Sequence, residues 1–150
     1  MHIRPSREAE KEELLNLWLR AVRATHDFIT EADIASMTPT VRDVALVHLQ
    51  LWTLANESDT PIGVMGMSGN SVEMLFIDPS QFRRGGGKRL LDHAQSMHEV
   101  LRLDVNEQNP QARQFYESQG FKVVGRSDTD SQGRPFPLLH LERSRGRGTV

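Results

Sequence analysis

Three consecutive glycines, Gly85, Gly86 and Gly87, stand between an apolar run and an amphipathic segment, and this succession limits the fold more than any other stretch of the chain. Val72, Met74, Leu75, Phe76 and Ile77, interrupted only by Glu73, read as a buried strand that Asp78-Pro79 ends by removing a backbone donor and fixing φ. Leu90, Leu91, Ala94, Met97 and His98 then repeat at helical spacing, so a helix is predicted from near Gly87. The start of a helix leaves N–H groups unpaired and carries partial positive charge, which makes a glycine loop feeding it a seat for a phosphate or pyrophosphate. Arg83, Arg84, Lys88 and Arg89 add mobile charge there. The same residues also read as a flexible turn with a solvated basic face. Neither Gly-x-x-x-x-Gly-Lys-Ser/Thr nor an early Gly-x-Gly-x-x-Gly is present, so the loop alone does not separate the two readings.

A second segment, 106–121, is better punctuated. Asn109 suits an N-cap, Pro110 the first helical position and Gly120 the left-handed residue after the helix, while Ala112, Phe115 and Tyr116 share a face. Here the chain resembles the GNAT superfamily of acetyl-CoA-dependent N-acetyltransferases. Asn109, Ala112, Phe115, Tyr116, Gly120 and Phe121 match the signature Asn-x-x-Ala-x-x-Phe/Leu-Tyr-x-x-x-Gly-Phe of that family. Its other signature, Arg/Gln-x-x-Gly-x-Gly/Ala, finds Gly85 and Gly87 at the small positions but Phe82 where Arg or Gln is expected; Arg83 or Arg84 takes over after a one-residue shift of the loop. The runs Ala24-Thr25-His26-Asp27-Phe28, Leu75-Phe76-Ile77-Asp78-Pro79, Val105-Asn106-Glu107-Gln108-Asn109 and Phe121-Lys122-Val123 are together similar to one type of small bacterial member.

The resemblance implies an α/β (α+β) fold. Its mixed, mostly antiparallel sheet of six to seven strands is flanked by four helices and splayed between the fourth and fifth strands. The domain spans 1–143, and the Arg/Gly-rich tail 144–150 is expected to be disordered. It implies acetyl-CoA as co-substrate and no metal. The pyrophosphate would rest on N–H groups of Arg83, Arg84, Gly85, Gly86, Gly87 and Lys88, and the pantetheine arm would run beside Phe76 and Ile77. Asn109 would bond that arm, and Tyr116 would stand near the sulfur. The implied reaction moves acetyl to a primary amine, from a small molecule or a protein, by direct attack in a ternary complex. An acyl-CoA-binding module without turnover is the alternative that Phe82 motivates. Monomer and homodimer are both compatible.

Three residues are candidates for proton transfer. Tyr116, a phenol near pKa 10, suits protonation of the leaving thiolate. Glu73, the one charge in its strand, is a candidate base or a solvated carboxylate. His26 is a candidate base or a helix-end histidine bonded to backbone, and Asp27 beside it reads as a turn residue. Asp78, Glu107, Glu31 and Asp33 either line the acceptor entrance or are solvated.

Composition narrows the class further. A length of 150 residues suits one domain, and a net charge of -2 argues against nucleic acid or an anionic membrane as partner. Without cysteine, disulfides, thiol nucleophiles and cysteine-based zinc sites are excluded. No apolar run reaches bilayer-spanning length, and Met1-His2-Ile3-Arg4 leads into charge, so a soluble cytoplasmic protein is expected. In chain order, 2–4 reads as a strand, and Ser6 as the cap of a helix with Leu14, Leu15, Trp18, Leu19 and Val22 inward. Thr30 and Asp33 form a capping box, and Pro39 breaks that helix. Thr38 caps a restart with Val41, Val44, Ala45 and His48 inward. Strands are expected at 51–55, 62–67 and 100–105, the last parallel to the strand at 72–77, with a closing hairpin at 121–126 and 137–141.

Overall fold

A computed structural model describes residues 1–25 and 29–145. Alternating or continuous apolar runs pair into one sheet of seven strands. These are β1 (His2–Pro5), β2 (Gln50–Ala55), β3 (Pro61–Ser68), β4 (Ser71–Ile77), β5 (Val100–Asn106), β6 (Lys122–Ser127) and β7 (Leu138–Ser144). Their spatial order is β1-β2-β3-β4-β5-β7-β6, with β7 inserted between β5 and β6. Every neighbouring pair is antiparallel except β4 and β5. The mixed sheet expected from the sequence is therefore present.

Both faces of the central strands are covered. On one, α4 (Gly86–Met97) brings Leu90, Leu91 and Ala94, and α5 (Pro110–Ser118) brings Ala112, Phe115 and Tyr116, onto Leu54, Met65, Leu101, Leu103, Phe121 and Leu141. On the other, α1 (Lys11–Thr25) and α2 (Glu31–Thr40) pack Leu14, Leu17, Trp18, Val22 and Ile34 onto Val64 and Met74. No helix among the described residues is long and apolar enough to cross a membrane.

The capping box forms as expected. Thr30 Oγ1 accepts from the Asp33 N–H, and Asp33 returns a bond to the Thr30 N–H, both at 3.1 Å. Replacing Thr30 by Ala should cost about 1 kcal/mol in chemical denaturation.

Two helix readings need correction. Ser6 does not cap: its hydroxyl bonds Thr53 at 2.7 Å, and α1 is preceded by a 3₁₀ turn over Glu8–Glu10 whose Glu10 carboxylate accepts from the Arg7 N–H. Nor does Pro39 break its helix. α2 runs through Pro39 to Thr40, and Thr38 bonds the Ile34 carbonyl instead of starting a new helix. The chain then widens into a π turn at Val41–Ala45 before α3 (Leu46–His48). A π turn takes one residue more than a 3.6-residue period allows, so the apolar face slips. Leu46 becomes the buried residue, while Val44, expected inward, is 52% exposed and His48 is exposed too. At the other end β7 continues to Ser144, and Arg145 N–H bonds the Glu99 carbonyl; 146–150 lie outside the described residues.

Arg4, Glu10 and Asp59 form a charged cluster at the edge of β1. Arg4 meets both oxygens of Glu10, at 2.9 and 3.0 Å, and its Nε donates to Asp59 at 2.8 Å. Thr53 Oγ1 adds a bond to Glu10 at 2.9 Å.

Candidate active site

The parallel strands touch only briefly. Their register pairs are Ser71 with Arg102 and Val72 with Leu103, after which β4 runs on to Ile77 and β5 to Asn106 without pairing. Two strand edges that no longer pair with each other thus diverge around a cleft of about 880 Å³. A β-bulge marks the fork. Met67 opposes Val72 while Gly66 opposes Met74, which leaves Glu73 as the extra residue. The bulge breaks strict alternation: Val72, Leu75 and Ile77 join the α4/α5 core, whereas Met74 and Phe76 join the α1/α2 core.

One wall of the cleft is the glycine loop. After the 3₁₀ turn Pro79–Gln81, Arg83 and Gly85 take left-handed backbone angles, φ 64° and 81°, and α4 starts at Gly86. None of the backbone N–H groups from Arg83 to Lys88 has a hydrogen-bond partner among the described residues. Left-handed residues interleaved with right-handed ones turn successive N–H groups toward a common point, an anion-binding nest. Two glycines are required by contact. A Cβ on Gly86 would lie 2.8 Å from Leu54 Cδ2, and one on Gly87 would lie 2.9 Å from Phe115 Cζ. Gly87→Val should therefore wedge α4 from α5 and cost about 1–3 kcal/mol in a denaturant titration.

The opposite wall is α5. Asn109 is buried and its Oδ1 accepts from the Ala112 N–H at 3.1 Å, while Gly120 takes φ 92° beyond the helix. Tyr116 sits edge-on between Phe115 and Phe121, with ring centroids 5.1 and 5.8 Å away. Burial pushes its phenol pKa up. The ring is half-buried and lines the cleft, and its hydroxyl is not among the sealed polar atoms without a partner among the described residues, Trp52 Nε1, His93 Nε2 and Asn106 Oδ1.

Comparison with known proteins decides the family. Residues 30–137 match the family described as "Acetyltransferase (GNAT) domain". The chain belongs to the GNAT acetyltransferases. It is 47% identical to the peptidyl-lysine N-acetyltransferase YjaB of Escherichia coli over 139 residues, 93% of this chain and 94% of that protein. The solution structure of apo YjaB from Escherichia coli superposes with a TM-score of 0.88, at 46% identity, covering 94% of this chain and 95% of that one. The fold is shared more distantly by the PaiA N-acetyltransferase of Thermoplasma acidophilum, solved with coenzyme A, at a TM-score of 0.75 and 23% identity over 96% and 98% of the two chains.

Within this GNAT fold, most of the residues expected at the site line the one cleft. Glu73, Phe76, Ile77, Arg83, Gly85, Gly86, Gly87, Lys88, Asn109 and Tyr116 all border it, whereas Arg84 does not. Arg84 is exposed and follows the left-handed turn at Arg83. Phe82, standing where the GNAT signature has Arg or Gln, is 37% exposed and also borders the cleft. Lys88 is tied to Asp92 at 2.6 Å, leaving Arg83 as the cleft cation without a carboxylate partner among the described residues. Glu73 is exposed and unpaired among them as well. His26 and Asp27 lie outside the described residues.

The four acidic residues considered for the acceptor entrance are engaged elsewhere. Asp78 meets Arg20 at 2.6 Å; burial works against its charged form, but Arg20 and Ser80 outweigh that and hold its pKa below the usual range. Arg126, at 2.6 Å, lowers the pKa of Glu107. Glu31 pairs with Arg23 at 3.0 Å, and Asp33 serves the capping box. None of the four borders the cleft.

Proposed function

We propose that this chain transfers acetyl from acetyl-CoA to lysine side-chain amines of proteins, by direct attack within a ternary complex. The observation that carries the reading is the fork between β4 and β5, with unpaired N–H groups at one end and Tyr116 on its wall. These features fit acetyl-CoA part by part. The nest from Arg83 to Lys88 suits a diphosphate, with Arg83 adding charge. The cleft-lining stretch of β4 at Phe76 and Ile77, beyond its last pair with β5, suits an amide-bearing arm that runs alongside it as an added strand, with Asn109 lining the same cleft. The acceptor class is supported by the peptidyl-lysine specificity in the name of the relative that is 47% identical.

Acetyl-CoA would supply the activated acyl group as a thioester. The chain's own residues then do three things. A backbone N–H near Ile77 faces the carbonyl oxygen, a fixed dipole aimed where negative charge grows. Glu73, unpaired at the fork, draws the cationic lysine toward the acyl carbon. Tyr116, whose raised pKa keeps its proton on Oη, gives that proton to the departing sulfur. Cytoplasmic residence and a monomeric or dimeric state are compatible with this chemistry.

The test is direct. Acetyl-CoA should raise the melting temperature, and adding a lysine-containing peptide should release free CoA thiol with acetylation of the lysine read by mass spectrometry. No melting shift with acetyl-CoA, or thiol release with small amines alone and never with peptides, would contradict the cofactor or the acceptor assignment respectively.

A further inference from the structure

Asp78 borders no part of the cleft, yet it stands where three elements meet just before the glycine loop. Its N–H donates to the Ile62 carbonyl of β3 at 2.9 Å, and its carbonyl accepts from the Gln81 N–H at 2.8 Å, closing the 3₁₀ turn that opens the loop. The two oxygens of its carboxylate have separate tasks. Oδ1 caps that turn, accepting from the Ser80 N–H at 3.1 Å and from the Ser80 hydroxyl at 2.9 Å. Oδ2 accepts from Nε and Nη2 of Arg20, at 3.0 and 2.6 Å, a guanidinium brought by α1 from 58 positions away in the chain.

The anion nest needs such an anchor. Arg83 holds φ at 64°, a conformation that costs a residue with a side chain energy and persists only where the surroundings impose it. At the α4 end the loop is fixed by packing, Gly86 against Leu54 and Gly87 against Phe115. Between them, the N–H groups from Arg83 to Gly85 have no partner among the described residues to hold them. The other fixed end is the turn at Asp78, where the Phe82 N–H returns to the Pro79 carbonyl at 3.4 Å. Arg20 ties that turn to α1, the helix whose Ala21 and Thr25 line the same cleft.

We propose that Arg20, acting through Asp78, is a positioning residue for the diphosphate of acetyl-CoA, a proposal that rests on the acetyl-CoA reading above. The guanidinium holds the front of the loop against α1. The N–H groups from Arg83 to Lys88 then converge before the ligand arrives, and less ordering opposes its binding. Arg20 does not meet the ligand, since it too lies outside the cleft lining. Because its side chain is 49% exposed, the ion pair adds little to global stability, and its loss is to be read in affinity.

Asp78→Asn separates the two tasks of the carboxylate. An amide oxygen still caps the turn, asparagine being as good a cap as aspartate, while the charge that holds Arg20 is gone. Arg20→Gln removes the same pair from the α1 side, and Arg20→Lys keeps the charge without the two-pronged contact. Calorimetric titration with acetyl-CoA, together with kcat, the KM for a lysine peptide and the melting temperature, compares these variants and the double variant with the wild-type protein. Asp78→Asn and Arg20→Gln should each raise the Kd for acetyl-CoA about tenfold, leaving kcat and the peptide KM at saturating acetyl-CoA within about twofold. The double variant should bind no more weakly than either single one, and Arg20→Lys should recover part of the affinity. An unchanged Kd with only a lower melting temperature would make the pair merely structural. A rise confined to the peptide KM would give it to the acceptor side, and losses that multiply in the double variant would show that Arg20 does not act through Asp78; each overturns the proposal. Should Asp78→Asn fail to fold, an unchanged Kd in Arg20→Gln alone would overturn it. Failure of the wild-type protein to bind acetyl-CoA would overturn the cofactor reading instead, an outcome visible before any variant is compared.

Discussion

Replacing Tyr116 by Phe should lower kcat at least about tenfold while leaving the KM for acetyl-CoA nearly unchanged, a loss of about 1.4 kcal/mol or more confined to the transition state. The substitution removes one oxygen from a ring that Phe115 and Phe121 hold edge-on, so packing is preserved and only the proton donor is lost. Burial pushes the phenol pKa up from 10.0, so the wild-type side chain remains protonated throughout the neutral range. The kcat deficit should accordingly be flat across neutral pH. A deficit that appeared in KM rather than kcat would make Tyr116 a binding residue, and no deficit would remove it from the chemistry.

The second large effect concerns stability. Glu10→Ala should cost about 3 kcal/mol, because it leaves the Arg4 guanidinium, only 12% exposed, with Asp59 as its remaining carboxylate and takes an acceptor from Thr53 and from the Arg7 N–H. Burial alone would raise the pKa of Glu10, but bonds from Arg4, Arg7 and Thr53 outweigh it and set the folded value below the ordinary 4.5. The stabilisation is therefore complete above that ordinary value and lost as pH falls through the depressed one, where the folded state must take up a proton. Urea titrations at about pH 7 and about pH 3.5 should show the wild-type protein losing stability at the lower pH and Glu10→Gln losing less of it. Asp43, Asp59, Asp78 and Glu107, whose pKa values are also lowered, contribute to the remaining slope in the variant. Equal slopes would remove Glu10 from the acid response.

The strand, bare loop and helix around Gly85 to Gly87 were legible because each is punctuated by residues with few conformational options, as was the α5 segment with Asn109, Pro110 and Gly120. Those two segments placed nearly all of the cleft. What escaped depends on contacts between distant residues or on a shift of phase. The bulge at Glu73 and the π turn at Val41–Ala45 each insert one residue into a regular period, and a pattern read at constant period has no means to see it. A hydrogen-bonded chain on β5, β7 and β6, Asp104–His140–Ser127, joins residues 36 and 13 positions apart, on strands whose adjacency follows only from β7 entering between β5 and β6. A faint signal existed. Asp104 and His140 are polar residues flanked on both sides by apolar ones, in Leu103-Asp104-Val105 and Leu139-His140-Leu141, which marks them as outward positions of half-buried strands. The turn at Arg83 escaped for a local reason: an arginine at positive φ is rare enough that no loop reading would have placed one there.

The most direct test of the central claim, that acetyl-CoA lies in the fork between β4 and β5, is amide hydrogen exchange with and without saturating acetyl-CoA. The account predicts new protection confined to the cleft-lining stretch of β4 from Glu73 to Ile77 and to the N–H groups from Arg83 to Lys88, with the paired strands β2 and β7 unaltered. Protection elsewhere with those two stretches still exchanging freely would contradict it.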